Sequence, residues 1–350
     1  MKLKFTPVFF FLLFSLLGFT QNKEKEYEIR TIAFYNLENL FDTINDPRKF
    51  DDDRTPEGKD KYTSKVYWDK IDHMSKVIAD IGRDETNTGP AIIGVSEIEN
   101  QDVLEDLIAS DNLKNGHYGI IHYDSPDERG IDVALLYQKL YFKPVSQSKH
   151  PLYIYNDNGK RDYTRDQLLV SGLLDGELIH IIVNHWPSRS GGEARSRPKR
   201  MAAAKLNMRI IDSLQAINLD AKIITMGDLN DDPDSPSIRD VLNAKEKKAA
   251  VKVPSGLYNP MANMHRRGLN TLAYRDGLNL FDQIIFTQPF LDKDYSTFRF
   301  YKAGIFNKQY LITQSGQYKG YPFRSYSYNT YTGGYSDHFP VYIYLIREKE

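Results

Sequence analysis

Apolar residues recur along the chain with two different spacings. Short runs rich in β-branched and aromatic side chains, at 30–35, 91–96, 132–137, 167–174, 178–184, 222–226, 283–287 and 339–346, have the length and composition of strands. Between some of them the apolar positions fall three and four apart: Trp68, Ile71, Met74, Val77, Ile78 and Ile81 in one segment, Val103, Leu104, Leu107 and Ile108 in another. That spacing marks one face of a helix, and a third, longer helix is predicted over 194–214. Strands that come both as neighbours and separated by helices predict mixed sheets covered by helices, a layered α/β sandwich, and not a purely parallel doubly wound sheet. The tyrosine-rich stretch 295–335 has weak periodicity and many glycines and serines, so it is predicted to form long loops or a hairpin insertion. No internal repeat and no long linker interrupts the pattern, and one continuous domain is expected over 29–348.

The first twenty residues differ from the rest. Lys2 and Lys4 precede an uncharged apolar run at 5–19, and small residues follow at 18–20. This is the pattern of a secretory signal cleaved near Gln21, because about 15 apolar residues fall short of the roughly 20 needed to cross a bilayer. Residues 21–28 then form a polar lead-in, and the mature chain is expected in the periplasm or outside the cell. Cysteine is absent, which excludes disulfides, thiolate catalysis, cysteine-ligated metals and lipid attachment at a cysteine. With 41% hydrophobic and 27% charged residues the chain can fill a core, and wholesale disorder is excluded.

Net charge is −1, so no global field draws the protein to nucleic acid or an anionic membrane. Local clusters change that picture. Seven basic side chains lie between Arg189 and Arg209 against the single acid Glu193, and the stretch from Tyr295 to Gly334 holds five basic residues and no acid. An acidic group at 51–53 reads as a solvated loop.

The candidate chemistry sits at the ends of the apolar runs: Asn36 and Glu38, Glu97, His185, Asp228 and Asn230, Asp282, and Asp337 with His338. A carboxylate after a strand is ordinarily a turn former or helix cap, so it is their joint order that carries information. Glu38, Glu97 and Asp337 suit a hard cation such as magnesium, which prefers oxygen ligands and needs no cysteine. His185 and His338 suit acid/base work near neutral pH, with Asp282 the carboxylate that could orient one of them.

Six short motifs follow in order: FYNLENLFD at 34–42, IIGVSEIEN at 92–100, NHWPSR at 184–189, MGDLND at 226–231, FDQIIFT at 281–287 and SDHFPV at 336–341. Together they resemble the motifs of the endonuclease/exonuclease/phosphatase superfamily, which includes deoxyribonuclease-I-like enzymes. The resemblance implies a four-layered α/β/β/α sandwich of two mixed β-sheets flanked by helices, and an exported, metal-dependent hydrolase of phosphoric esters. It also implies roles. Asn36 would support metal or phosphate, and Glu97 would bind the cation. Asp228 and Asn230 would align the attacking water and the phosphate, and His185 would contact the phosphate. Asp282 would orient His338, with Asp337 on or near the metal. Glu38 stands where some relatives carry an aspartate, a departure that leaves its part in metal binding open. Arg129 and Arg189 are candidates to pair with phosphate oxygens.

The implied cofactor is a divalent cation, magnesium first, with manganese or calcium as alternatives. Nucleic acid is the expected substrate because the basic and tyrosine-rich stretches can track phosphates and stack on bases. A phosphorylated small molecule or a phospholipid is the alternative, and for a lipid an exposed apolar tip formed by Phe298, Phe300, Tyr301, Ile305 and Phe306 would be needed. A catalytically dead binding module is a third reading. No obligate protein partner is implied.

Overall fold

The computed structural model describes residues 25–274 and 277–349, so the expected signal at 1–20 and the first half of the polar lead-in, 21–24, lie outside the described residues. In chain order the main elements are β1 (Tyr27–Leu40), α1 (Ser64–Asp80), β2 (Ile92–Ile98), α2 (Gln101–Ala109), β3 (Tyr118–His122) and β4 (Asp132–Gln138). They continue with β5 (Phe142–His150), β6 (Gln167–Leu174), β7 (Glu177–His185), α3 (Glu193–Ile217), β8 (Ile223–Asp228), β9 (Leu257–Tyr258), β10 (Asp282–Thr287), β11 (Arg299–Ile305) and β12 (Val341–Glu348). These strands make two six-stranded sheets, ordered β11-β12-β1-β2-β4-β3 and β9-β10-β8-β7-β6-β5. Each sheet carries a parallel pair at its centre, β1 with β2 and β7 with β8. A parallel pair requires a crossover, and α1 and α3 lie in the two crossovers.

The layers follow from the period of two along the strands, which sends successive side chains to opposite faces. Ile32 and Phe34 of β1 and Leu135 of β4 meet Val170, Ile181, Val183, Met226 and Ile284 of the second sheet in a core between the sheets. The alternate residues Ala33, Tyr35, Ile93 and Val95 face outward onto Met74, Val77 and Ile78 of α1 and Leu104 of α2. On the far side Ile182, Ile223 and Ile285 pack against Ala203, Ala204, Ile210 and Ile211 of α3. The four-layered α/β sandwich is thus the observed architecture. The Asn100 side chain accepts from the Val103 amide at 3.1 Å and so caps α2.

Several expectations are corrected. Strands β3, β5, β9 and β11 were not predicted. β5 and β11 are in sequence terms weak because each pairs on one side only and exposes much of its length. β11 lies within the stretch predicted to be loops or a hairpin, and the part after it is loops with a short hairpin, Tyr326–Ser327 paired with Thr330–Tyr331. Trp68 was placed on the buried face of α1 but is half exposed, since the helix turns Tyr67 inward instead. The loop at 51–53 is not uniformly solvated: Asp51 is buried and accepts the Asp46 amide at 2.9 Å.

Two glycines set the spacing near the site. A Cβ on Gly94 would meet Val183, Met226 and Phe34 at 3.1–3.2 Å, so its absence lets the sheets close. A Cβ on Gly227 would lie 2.2 Å from the carbonyl oxygen of Asn184, its register partner on β7. A backbone atom cannot step aside as a flexible side chain can. Gly227→Ala is therefore expected to destabilise the protein by about 1–3 kcal/mol in urea unfolding, and an unchanged midpoint would contradict the packing described here.

Candidate active site

Because both central pairs are parallel, β1 with β2 and β7 with β8 end at one edge of the sandwich, and the loops that follow meet there. In the second sheet Asp228 is in register with His185 on one side and with Asp282 on the other, so three polar residues form a row across adjacent strands. Across the gap between the sheets Asn36 donates through Nδ2 to Asp228 Oδ2 at 3.2 Å. The register of β1 slips between Asn36 and Leu40, and that of β2 between Ser96 and Ile98. At these bulges Glu38 and Glu97 take left-handed backbone angles, φ 46° and 58°, and Asn230 does so at 49°. A bulge re-aims the side chain it carries, and such strain persists only where the surrounding structure holds it.

His338 is the best-supported member of the site. Its Nδ1 lies 2.7 Å from Oδ2 of Asp282, which is fully buried. The other ring nitrogen, Nε2, faces Asp228 Oδ2 at 3.9 Å and Asp337 Oδ1 at 4.0 Å. Burial alone would lower its pKa, but the charges of Asp282, Asp228 and Asp337 reverse this and hold it well above the usual histidine value. His185 is the opposite case. Burial, then the charges of Arg165 and Arg129, push its pKa well below the ordinary value, while Nε2 stands 3.6 Å from Asp228 Oδ2 and 3.7 Å from Glu97 Oε1. Burial raises Asp228 to about 7 against the pull of His338. Three neighbouring groups are thereby pushed in different directions, the condition under which one acts as acid and another as base.

Supporting contacts hold this cluster. The Asn230 amide donates to Asp228 Oδ1 at 2.9 Å, and its side chain donates to the Trp186 carbonyl at 3.0 Å. Ser336 donates to the Asn36 carbonyl at 2.7 Å and accepts the His338 amide at 3.1 Å. Sequence reasoning missed Ser336, and it missed Arg165, which donates to the same Trp186 carbonyl at 2.7 Å and to Asp127 at 2.9 Å. Neither lies in a periodic pattern that would single it out.

The remaining sequence candidates divide. Asp337 sits beside His338 and accepts from Arg324 Nη2 at 2.8 Å. Glu38 is at the same edge, but its carboxylate takes the amides of Ser325 and Tyr326 at 2.7 and 3.4 Å. Burial and the nearby Asp337 raise its pKa to about 7. The fully buried Lys70 donates to the Glu38 carbonyl at 2.6 Å and to Ser325 Oγ at 3.1 Å, with its own pKa lowered by burial to about 8. Glu38 therefore ties the late insertion to β1. Arg129 lines a cleft with Glu38, Asp337 and Arg324. Arg189, in the loop after β7, is held against the loop after β8 by the Asn230 carbonyl at 3.0 Å, Asp231 and Asp232, with its guanidinium 4.4 Å from the Phe281 ring.

The donors present suit a hard divalent cation. Oxygens of Glu97 and Asp337 border the gap, Asn36 Oδ1 beside them accepts the Glu38 amide at 2.9 Å, and the chain has no cysteine thiolate. Glu97 gives Oε2 to the Asn39 amide at 3.1 Å, while Oε1 turns toward the His185 ring. Among the described residues His122, Asp124 and Asp132 also place ligand atoms within 4.8 Å of one another. There Asp132 already accepts the Ser125 amide at 2.8 Å and lies 3.1 Å from His122 Nε2, which accounts for its position without an ion.

The two histidines give opposite pH signatures. The raised pKa of His338 contributes stability in full below its unfolded value, about 6.5, and loses it as pH rises through the folded value. The depressed pKa of His185 removes stability as pH falls below about 6.5, because only the unfolded chain then takes the proton. In chelator-treated protein, imidazole NMR is expected to show His338 charged at pH 7.5 and His185 neutral at pH 5.5. Asp282→Asn should bring the His338 titration down toward the ordinary value. Two histidines titrating together near 6.5 would contradict the arrangement.

Comparison with known proteins agrees with this fold. No curated protein matches the chain in sequence. Among solved structures it is similar to an endonuclease/exonuclease/phosphatase family protein of Bacteroides thetaiotaomicron, at TM-score 0.55 and 17% identity, covering 93% of this chain and 100% of that one. It is also similar to D. rerio TDP2 complexed with single strand DNA product, at TM-score 0.54 and 12% identity, covering 91% and 98%. A mannosyl-6-phosphatase of Bacteroides thetaiotaomicron follows at TM-score 0.53 and 16% identity, covering 90% and 99%. A family model described as the Endonuclease/Exonuclease/phosphatase family matches residues 31–347. Members of that family are divalent-cation-dependent phosphoesterases. The chain thus belongs to the endonuclease/exonuclease/phosphatase family and is a hydrolase of phosphoric ester bonds.

Proposed function

We propose that this chain is an exported phosphodiesterase that cleaves nucleic acid with the help of a divalent cation, magnesium first. The reading is carried by the cleft of about 410 Å³ beside Asp337, where Arg54, Lys59, Arg129 and Arg324 stand among Glu38, Asp53 and Asp60. Arg54, Lys59 and Arg324 pair with Asp60, Asp53 and Asp337 of the same lining, so the concavity is a mixed patch next to the buried histidine and carboxylate pair, with cations to meet phosphate oxygens and carboxylates to meet a metal ion. D. rerio TDP2, captured with a single-strand DNA product, offers a parallel on the same fold. A lipid substrate is disfavoured: Phe298, Phe300 and Phe306 are buried, and of the expected apolar tip only Tyr301 is strongly exposed. A phosphomonoester is the second reading, favoured by the comparable likeness to a mannosyl-6-phosphatase.

Glu97, with Asn36 and Asp337, would hold the cation, whose charge would offset the negative charge that builds on the phosphate oxygens. The chain's own residues do the proton work. Asp228, near neutrality in pKa and fixed by the Asn230 amide, takes a proton from the water that attacks phosphorus. His338 carries a proton on Nε2 and gives it to the leaving oxygen as the phosphorus–oxygen bond breaks, while Asp282 holds the ring through Nδ1. Neutral His185 presents Nε2 to the same space, and its neutrality keeps it from competing with the cation. Asn230 and Ser336 act as positioning residues.

The test is hydrolysis of single-stranded DNA, plasmid, RNA, mannose 6-phosphate and sphingomyelin by the chain from Gln21 onward, with magnesium and with chelator. Polynucleotide cleavage that needs metal and drops about 10²–10⁴-fold in His338→Ala is expected. Turnover of the monoester or the lipid alone would overturn the nucleic-acid reading, and no turnover of any substrate would favour a binding role. Export is supported by the charged start and apolar run of the first twenty residues. N-terminal sequencing of protein recovered outside the cytoplasm should begin near residue 21, and an intact N-terminus in the cytoplasm would refute export.

A further inference from the structure

The segment between β11 and β12 builds a second cleft, of about 670 Å³, that adjoins the charged one described above. Its walls carry Tyr274, Tyr318, Tyr321, Phe323 and Tyr328, and Arg324 with Asp337 marks the end where the two clefts meet. The cleft is therefore aromatic along its length and charged at the end nearest the catalytic histidine. That volume falls within the range of small-ligand sites.

Tyr328 occupies an unusual position on its rim. Two short strands, Tyr326–Ser327 and Thr330–Tyr331, pair in register as a hairpin, which leaves Tyr328 and Asn329 as a two-residue turn. Both have positive φ, 48° and 39°. Turns of this kind favour Asn, Asp and Gly, so Asn329 suits its place, whereas a bulky aromatic residue there is strained. Burial does not compensate, because Tyr328 is 85% exposed. Its hydroxyl lies 3.4 Å from that of Tyr318 across the cleft mouth.

The base of the hairpin is held firmly. The Ser325 and Tyr326 amides bind Glu38, Lys70 reaches Ser325 Oγ, and the Tyr331 hydroxyl binds Asp69. The Tyr326 ring is buried and stacks on Tyr62. A strained, exposed aromatic ring on a rigid mount, beside an aromatic cleft that opens onto the catalytic group, is a preorganised surface for a flat partner.

We propose that Tyr328 is a stacking platform for the nucleobase next to the scissile phosphate, with the base lodged in the tyrosine cleft and its phosphate directed toward Arg324. Every base presents a π face, so such a platform is tolerant of sequence and demands single-stranded or unstacked substrate. The assignment rests on the nucleic-acid reading above and adds to it the class of group that is gripped.

The experiment compares kcat/KM for a short single-stranded oligonucleotide with that for oligonucleotides carrying an abasic tetrahydrofuran residue on one or the other side of the cleaved bond. The wild-type chain should prefer the base-bearing strand by about ten-fold, the loss of one stacked base. Tyr328→Asn removes the ring and keeps a residue suited to positive φ, and a melting temperature at or above that of the wild type will show that it folds. In that variant the preference should collapse, chiefly through KM, and Tyr328→Phe should restore it. Cleavage with no base preference, or a preference that survives Tyr328→Asn, overturns the stacking assignment and leaves the nuclease reading standing. No cleavage of any oligonucleotide overturns both. A KM for mannose 6-phosphate that rises in Tyr328→Asn while oligonucleotides stay intact would assign the cleft to a sugar face instead.

Discussion

Where Asn36 of β1 donates to Asp228 of β8 at 3.2 Å, two separate sheets are tied at the edge that carries the candidate site. The sheets approach face to face there with Gly94 at the contact, where a Cβ would meet Val183 and Met226 of the other sheet. The hydrogen bond also fixes charge. Asp228 is buried, and a buried carboxylate must find donors or hold a proton. The Asn36 side chain and the Asn230 amide supply two donors, and His338 supplies a positive charge nearby. The rest of the site can be understood as the accommodation of that one group.

The two histidines show how neighbouring positions acquire different chemistry. Both are buried, yet His338 has Asp282 at 2.7 Å behind it and two further carboxylates in front, whereas His185 has the positive charges of Arg165 and Arg129 acting on it. Desolvation works on both in one direction, and only local charge separates them. Under the proposed function, a phosphate that enters the site would meet one ring able to give a proton and one that stays neutral.

Strain is placed at the same edge. Glu38, Asn39, Glu97 and Asn230 hold left-handed backbone angles at the strand ends, and Tyr328 does so on the hairpin that Glu38 anchors. The bulges that turn Glu38 and Glu97 are compensated by the ladders on either side of them and by contacts from distant segments. Lys70 beneath the Glu38 loop does part of this work: its buried ammonium gathers the carbonyl of Glu38 and the hydroxyl of Ser325. The late insertion is thus part of the site's support as well as its wall.

Much of this was legible in the residues alone, because strand and helix periodicity is a local property. The eight predicted strands all exist, and the order of the motifs at their ends named Asn36, Glu97, His185, Asp228, Asn230, Asp282, Asp337 and His338, which the fold brings to one edge. Edge strands β5 and β11 escaped because each is ordered by one neighbour, not by an apolar pattern of its own. Glu38 was legible as a strand-end acid but not as the anchor of Ser325, 287 residues away. Likewise nothing local marks Arg324 as the partner of Asp337, or shows that Arg189 is taken up by Asp231 and Asp232. The sequence by itself determined the eight inner strands of the two sheets and which chemical groups stand at their ends. Only the tertiary structure decided the pKa values, the pairings and the shape of the clefts, since each depends on desolvation and on charges contributed by residues far apart in the chain.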